Sequence, residues 1–209
     1  DGLEMFQQLR LRLENEKAPL KVAIVRTDGG GEFKSGEWED WCAQEGIKHE
    51  YSAPYRQAQN GVVERRMGIV WKAAKAMLIK AGSPSYDWTH AVGYAVFLWN
   101  HVPCVANGGL TPNEVFDGIK RNFTTDGIFG CLAYAMVYNR GKQEATSRRV
   151  IYLGHDDVYK AYKVRDLENP SRKIFYCRDV KFHSDVFPYQ NALVPRPSPP
   201  PDSDDEDAN

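Results

Sequence analysis

The feature of this sequence that most restricts its fold is a change of hydrophobic period partway along the chain. Up to Pro103 the apolar residues recur mostly at helical spacing, broken by two short strand-like runs. From Ile128 they fall in short β-rich runs punctuated by turn residues. A chain that switches period in this way builds an α/β layer first and an all-β element second.

In the first part, Leu3, Phe6, Leu9 and Leu13 are spaced as on a helix and lead into "KVAIVR", a β-branched run expected of a strand covered on both faces. "SGEWEDWCAQEG" reads as a second helix, with Ser35 as N-cap, Trp38, Trp41 and Cys42 on one face, and Gly46 as its stop. "IKHEYS" alternates Ile47, His49 and Tyr51 against Lys48, Glu50 and Ser52, a half-buried strand that Pro54 closes, and "YRQAQNG" reads as a loop. Between Val62 and Ala81 the residues Val63, Met67, Val70, Ala74, Met77, Leu78 and Ala81 trace one helical stripe, ended by Gly82. Ser83 and Pro84 open a further helix, with Trp88, Ala91, Val92, Ala95, Trp99 and Val102 on one face.

Downstream, "TPNE" at Thr111 to Glu114 carries a capping box with proline at the first helical position, so a short connecting helix should end near Gly118. The runs "IFGCLAYAMVY", "RRVIYLGH", "KAYKVRD", "KIFYC" and "VKFH", with "LENPSR" as a turn, predict a small all-β barrel or sheet. "PRPSPPPDSDDEDAN" cannot bury a core and is expected to be disordered. The expected organisation is residues 1–103 as the α/β layer, 104–126 as a helical connector, 127–186 as the β domain and 187–209 as the tail.

The balance of 27 basic and 28 acidic residues conceals an asymmetry. Asp202, Asp204, Asp205, Glu206 and Asp207 crowd the tail, whereas Ala53 to Lys80 carries Arg56, Arg65, Arg66, Lys72, Lys75 and Lys80 against Glu64 alone. Such a local excess favours a polyanionic partner. Cys42, Cys104, Cys131 and Cys177 are too scattered for a zinc motif or a disulfide framework, so reduced thiols are expected. The absence of a membrane-length apolar run or a signal-peptide pattern predicts a soluble, intracellular protein without a membrane partner.

Two acids stand out. Asp28 ends the first strand and precedes three glycines, and Glu64 lies in the first turn or so of the long helix. In an α/β layer, strand ends and helix starts on one sheet edge converge, and two carboxylates there would suit Mg²⁺ or Mn²⁺. Lys75, Lys72 and Arg65 fall within about 100° of Glu64 around the helix, away from its apolar stripe. Taken singly, each feature has a plainer reading. Three glycines alone are a mobile turn, an acid among lysines is an ion pair, Trp38, Trp41, Trp88 and Trp99 are packing residues, and none of the five histidines has a partner at metal-ligand spacing.

Taken together, "RTDGGGEF", the spacing to Glu64, "PYRQAQNGVVERR", "MLIKAGSPSYDWTHAVGYAVFLWNHVP", "LTPNEVFDG" and "FGCLAY" resemble the integrase of copia-type LTR retrotransposons and, more loosely, retroviral integrases. The resemblance runs from Leu3 to Ser184. It implies an RNase H-like core followed by a small SH3-like β domain. It also implies divalent metals held by two aspartates and a glutamate, which drive 3′-end processing and strand transfer of DNA.

By that resemblance Asp28 is the second aspartate and Glu64 the glutamate, both catalytic and metal-binding. Gln59, Asn60, Arg65, Lys72 and Lys75 would contact nucleic acid, and the intact integrase would be a homo-oligomer acting in the nucleus. Two motifs depart from the family pattern: Asp28-Gly29-Gly30-Gly31 replaces Asp-Asn-Gly-Gly, and Arg56-Gln57-Ala58-Gln59-Asn60-Gly61 replaces Pro-Gln-Gln-Asn-Gly. The family's first aspartate has no counterpart here, so the expectation is a truncated core, inactive alone, that binds nucleic acid. The rival expectations are a non-catalytic DNA-binding remnant and a domesticated or pseudogene product.

Overall fold

A computed structural model describes residues 2–27, 30–51, 57–118, 120, 127–136, 147–156, 158–168 and 173–190, without the side chains of Glu32, residues 57–60 and Val62. The chain divides into two compact units, residues 1–67 and 68–209.

The first unit contains helix α1 (Gly2–Glu16), strand β1 (Ile24–Thr27), a 3-10 turn (Gly31–Lys34), helix α2 (Gly36–Gln44), strand β2 (Lys48–Tyr51) and the start of helix α3 (Gln57–Ala81). Strands β1 and β2 pair in parallel, Ile24 opposite Lys48 and Thr27 opposite Tyr51, with α2 as the crossover that a parallel pair requires. The ends of α2 are fixed locally. Ser35 Oγ accepts from Trp38 N at 3.3 Å. Gly46, at φ 67°, donates to Ala43 O while Ile47 N donates to Cys42 O at 2.8 Å, a Schellman closure. That closure carries Ile47 onto Cys42, and with Trp38 they form the buried centre. Phe6 and Phe33 pack on Trp38 with ring centroids 5.3 and 5.0 Å away.

Strand β1 is not covered on both faces as its composition suggests. Val25 joins the Trp38 cluster, but Ile24 on the opposite face is 55% exposed. The apolar run reflects the β-branched preference of strands more than double cover. The inward alternation expected of β2 is also altered. Tyr51 is exposed at the strand end, its hydroxyl 2.9 Å from Glu39 Oε1, while Glu50 is half-buried beneath its cations. Glu50 bonds Lys48 at 2.8 Å and its cross-strand neighbour Arg26 at 2.7 Å, and the two together lower its pKa from 4.5 to about 2. A depressed carboxylate stabilises the fold above its unfolded pKa and loses that contribution as pH falls through the folded value. The window here is from 4.5 down to about 2. Carboxyl NMR titration of Glu50 is expected to give a midpoint near 2 that moves upward in Arg26→Gln; an ordinary midpoint would show that these bonds do not persist in solution.

The second unit contains the rest of α3, helix α4 (Trp88–Asn100), helix α5 (Pro112–Asp117) and strands β3 (Leu132–Met136), β4 (Ser147–Asp156), β5 (Ala161–Asp166), β6 (Ile174–Cys177) and β7 (Val180–His183). These are the five β-runs expected from the sequence, joined in an antiparallel sheet of order β6-β5-β4-β3-β7. "LENPSR" lies partly outside the described residues. Val150, Ile151, Tyr152 and Leu153 of the central β4 are fully buried. They share one core with Ala74 and Ala81 of α3 and with Ala91, Tyr94, Ala95 and Phe97 of α4. Alanines on the sheet-facing side let the helices approach closely. Gly154 serves the same end: it lies beside a bulge, and a Cβ there would stand 3.0 Å from the Tyr94 ring.

Two boundaries differ from expectation. Helix α3 begins at Gln57, so the end of "YRQAQNG" is helical: Gln and Ala favour helix, and one glycine is tolerated. The buried face of α4 turns on Tyr94 and Phe97, while Trp88 and Trp99 are only half-buried and Val102 lies beyond the helix end, 53% exposed.

The capping box on α5 forms as its four residues imply. Thr111 Oγ1 accepts from Glu114 N at 3.0 Å, and Glu114 Oε2 accepts from Thr111 N at 2.8 Å. Thr111→Ala is expected to cost this turn about 1 kcal/mol, read as roughly fivefold faster amide exchange at Val115 and Gly118; unchanged exchange would mean that packing alone holds the turn. All four cysteines are free, and burial raises the Cys131 thiol to about 11, far from reactive thiolate chemistry.

Candidate nucleic-acid interface

Parallel pairing brings the C-terminal ends of β1 and β2 to the same edge, at Thr27 and Tyr51. The next residue, Asp28, lies outside the described residues, as does Gly29. Beyond it the backbone is ordinary, with Gly30 at φ −57°, and a Cβ added to Gly31 would meet nothing within 4 Å. The fold therefore does not demand glycine at position 31. What its absent side chain leaves is open access to the backbone.

Glu64, Arg65, Lys72 and Lys75 are all exposed on α3, Glu64 and Arg65 in the first unit and Lys72 and Lys75 in the second. Gln59 and Asn60 fall in the first turns of the same helix, but their side chains lie outside the description. Among the described residues neither Lys72 nor Lys75 has an acidic partner, so the plain ion-pair reading of these lysines finds no support on the helix. Among the described residues no group of three or more His, Cys, Asp or Glu is placed to hold a metal ion. Glu64 supplies one exposed carboxylate, the hard oxygen donor that Mg²⁺ or Mn²⁺ takes.

The bases of the β sheet are less available than their number suggests. Arg148 pairs with Asp166 and Arg149 with Glu168, both at 3.2 Å. Lys163 lies over the Tyr176 ring, 5.7 Å from its centroid. Arg165 is buried and bonded bidentately to Asp87. Among the described residues Lys160, Lys173, Arg178 and Lys181 remain as exposed cations. Sequence reasoning could not sort these bases, since Arg165 and Asp87 are 78 residues apart and share no motif.

Residues 131–195 match the family described as the retroviral polymerase SH3-like domain, in agreement with the antiparallel sheet of the second unit. The chain is 32% identical over 181 residues to the Retrovirus-related Pol polyprotein from transposon TNT 1-94 of Nicotiana tabacum, across 86% of this chain and 13% of that polyprotein. It is 29% identical over 179 residues to the Retrovirus-related Pol polyprotein from transposon RE2 of Arabidopsis thaliana, across 85% of this chain and 12% of that one. Among solved structures it resembles the HTLV-2 integrase catalytic core domain in complex with magnesium, at a TM-score of 0.40 and 23% identity, over 53% of this chain and 64% of that one.

The sheet and the family match assign residues 131–195 a likeness to the retroviral polymerase SH3-like domain. More particularly, the chain is similar to the retrovirus-related Pol polyproteins of plant transposons, and spans about an eighth of their length. No described helix is long and apolar enough to cross a membrane.

Proposed function

We propose that this chain is the integrase segment of a copia-type retrotransposon polyprotein and that it binds DNA through the exposed cations of α3. The observation that carries the reading is the co-linear run of motifs from "RTDGGGEF" to "FGCLAY", within a chain of which 86% aligns with a transposon Pol polyprotein. Arg65, Lys72 and Lys75 would neutralise backbone phosphates, and Gln59 and Asn60 would also contact nucleic acid. Asp28 and Glu64 would hold Mg²⁺ or Mn²⁺. Bound there, the metal would supply Lewis-acid activation for phosphodiester transfer in the intact polyprotein, both end processing and strand transfer. Residues 1–103 would form part of the RNase H-like core, 104–126 the connector and 127–186 the SH3-like domain, and the assembled integrase would act as a homo-oligomer in the nucleus.

The test is fluorescence anisotropy with a labelled duplex. Replacing Lys72 and Lys75 together by glutamine is expected to weaken binding about tenfold at low salt and to flatten the dependence of log K on log salt by about 1.8. Affinity and slope that stay put would remove α3 from the interface. For the metal, Mn²⁺ is expected to broaden amide signals around Glu64, and Asp28→Asn or Glu64→Gln to abolish this. Salt-sensitive DNA binding with no such Mn²⁺ signature would favour the non-catalytic, DNA-binding remnant.

A further inference from the structure

The described residues end at a defined place. Phe187 and Tyr189 are buried, and Gln190 lies against the C-terminal end of α3, where a Cβ on Gly82 would stand 2.9 Å from Gln190 N. Gly82 also forms part of an open groove of about 540 Å³, lined by Lys75, Leu78, Ile79, Ser83 and Trp88 among others. Lys75, Leu78, Ile79 and Gly82 are spaced i, i+3, i+4, i+7 on α3, and Lys72 continues their stripe toward the helix start. The groove is mostly apolar in lining, and Ile79 is 68% exposed. The residues that follow Gln190 are "NALVP", then a proline-rich stretch, then Asp202, Asp204, Asp205, Glu206 and Asp207. An apolar triplet, a proline-rich stretch and an acidic run thus follow, in sequence, a residue set beside an apolar groove that Lys75 lines, with Lys72 one turn further along α3 and neither lysine paired with an acid among the described residues.

We propose that this segment folds back on its own chain: Leu193, Val194 and Pro195 fill the groove, and the acidic run lies over Lys72 and Lys75 and withholds them from DNA. The docking stands on the groove and the charges alone; its regulatory consequence rests on the DNA-binding reading above.

The tether is long enough. Leu193 is three residues past Gln190, about 10 Å of extended chain, and Lys75 is about 10 Å along the helix from Gly82. Asp202 is twelve residues past Gln190, about 20 Å away as a coil and about 37 Å as polyproline II, against about 15 Å of helix from Gly82 to Lys72. Exposed acid–lysine pairs are individually weak, but a short tether makes their encounter intramolecular, at an effective concentration of order millimolar. Proline-rich chain also loses little conformational freedom on docking in an aromatic-lined groove, here the one beside Trp88.

The experiment uses the full chain, a zero-length carbodiimide cross-linker with peptide mass spectrometry, and DNA affinity at low salt. Cross-links from Lys72 or Lys75 to the acidic run within one chain are expected. They should vanish in Ile79→Ser, which alters no charge and touches an exposed side chain, and in a variant with all five acids made amides. Both variants should bind DNA about fivefold more tightly, on the scale set by an intramolecular competitor. The loss caused by Lys72→Gln with Lys75→Gln should grow in them. Absence of these cross-links, or cross-links that join two copies instead, overturns the docking whether or not DNA binds. Cross-links with DNA affinity unmoved by Ile79→Ser overturn the masking. Cross-links in a chain that binds no DNA in any form keep the docking and overturn the DNA-binding reading.

Discussion

Asp87→Ala is expected to destabilise the second unit by about 3–5 kcal/mol, because it strands a buried guanidinium. Asp87 is fully buried and Arg165 is 5% exposed. Arg165 Nη1 donates to Asp87 Oδ2 at 2.9 Å and its Nη2 donates to Oδ1, so the fork is closed at both prongs. The pair ties the turn that opens α4 to the buried strand β5. Burial pulls the Arg165 pKa down, but Asp87 and Tyr189 together more than offset this and hold it above its ordinary value; a guanidinium does not give up its proton in a protein, so the strand side stays charged when the aspartate goes. The Tyr86 ring, 5.6 Å from the guanidinium carbon, offers a cation–π contact that cannot neutralise it. Amide exchange in β4 and β5 should report the loss directly. Asp87→Leu combined with Arg165→Met should recover most of it, since an apolar pair leaves no charge behind. A second readout comes from His90, whose pKa is lowered mainly by burial, with Asp87 pulling it the other way. Asp87→Asn should therefore move its NMR midpoint lower still. A loss under about 1 kcal/mol with an unmoved His90 would mean that the pair is solvated in solution.

What the sequence revealed divides along the range of the interactions. The Ser35 cap, the Gly46 stop and the Thr111–Glu114 box are closed by atoms a few residues apart, and each is present as its motif implies. The five strand-like runs were legible because alternation and turn residues are also local. Long-range partners were not. Periodicity marks Val63 and Met67 as one stripe with Ala74 and Ala81, yet the first two are 60% and 52% exposed and the last two fully buried, since the stripe cannot state where along the helix a core begins. For the candidate interface, the helical angle correctly put Glu64, Arg65, Lys72 and Lys75 in solvent. The bases of the β-rich part could not be sorted from the sequence, because Arg148, Arg149 and Arg165 take acids 18, 19 and 78 residues away.

Gly130→Ala is expected to be nearly as costly, for a steric reason. Gly130 has φ 79°, and a Cβ there would lie 2.2 Å from Ala81 Cβ and 3.3 Å from Ala81 Cα. Neither neighbour can rotate away, because Ala81 is the buried last residue of α3 and Gly130 N donates to Tyr152 O of the central strand at 2.7 Å. The substitution thus adds left-handed strain of about 1–2 kcal/mol to an overpacking cost of about 1–3 kcal/mol. Gly108 separates the two contributions: it has φ 66° but open space around it, so Gly108→Ala should cost the strain alone. Introducing Ala81→Gly into the Gly130→Ala chain should recover most of the overpacking part, less about 1 kcal/mol for glycine in a helix. Denaturation of these variants therefore measures how tightly α3 is held against the sheet. Equal losses at positions 108 and 130, with no recovery from Ala81→Gly, would show that α3 can withdraw from the sheet at little cost.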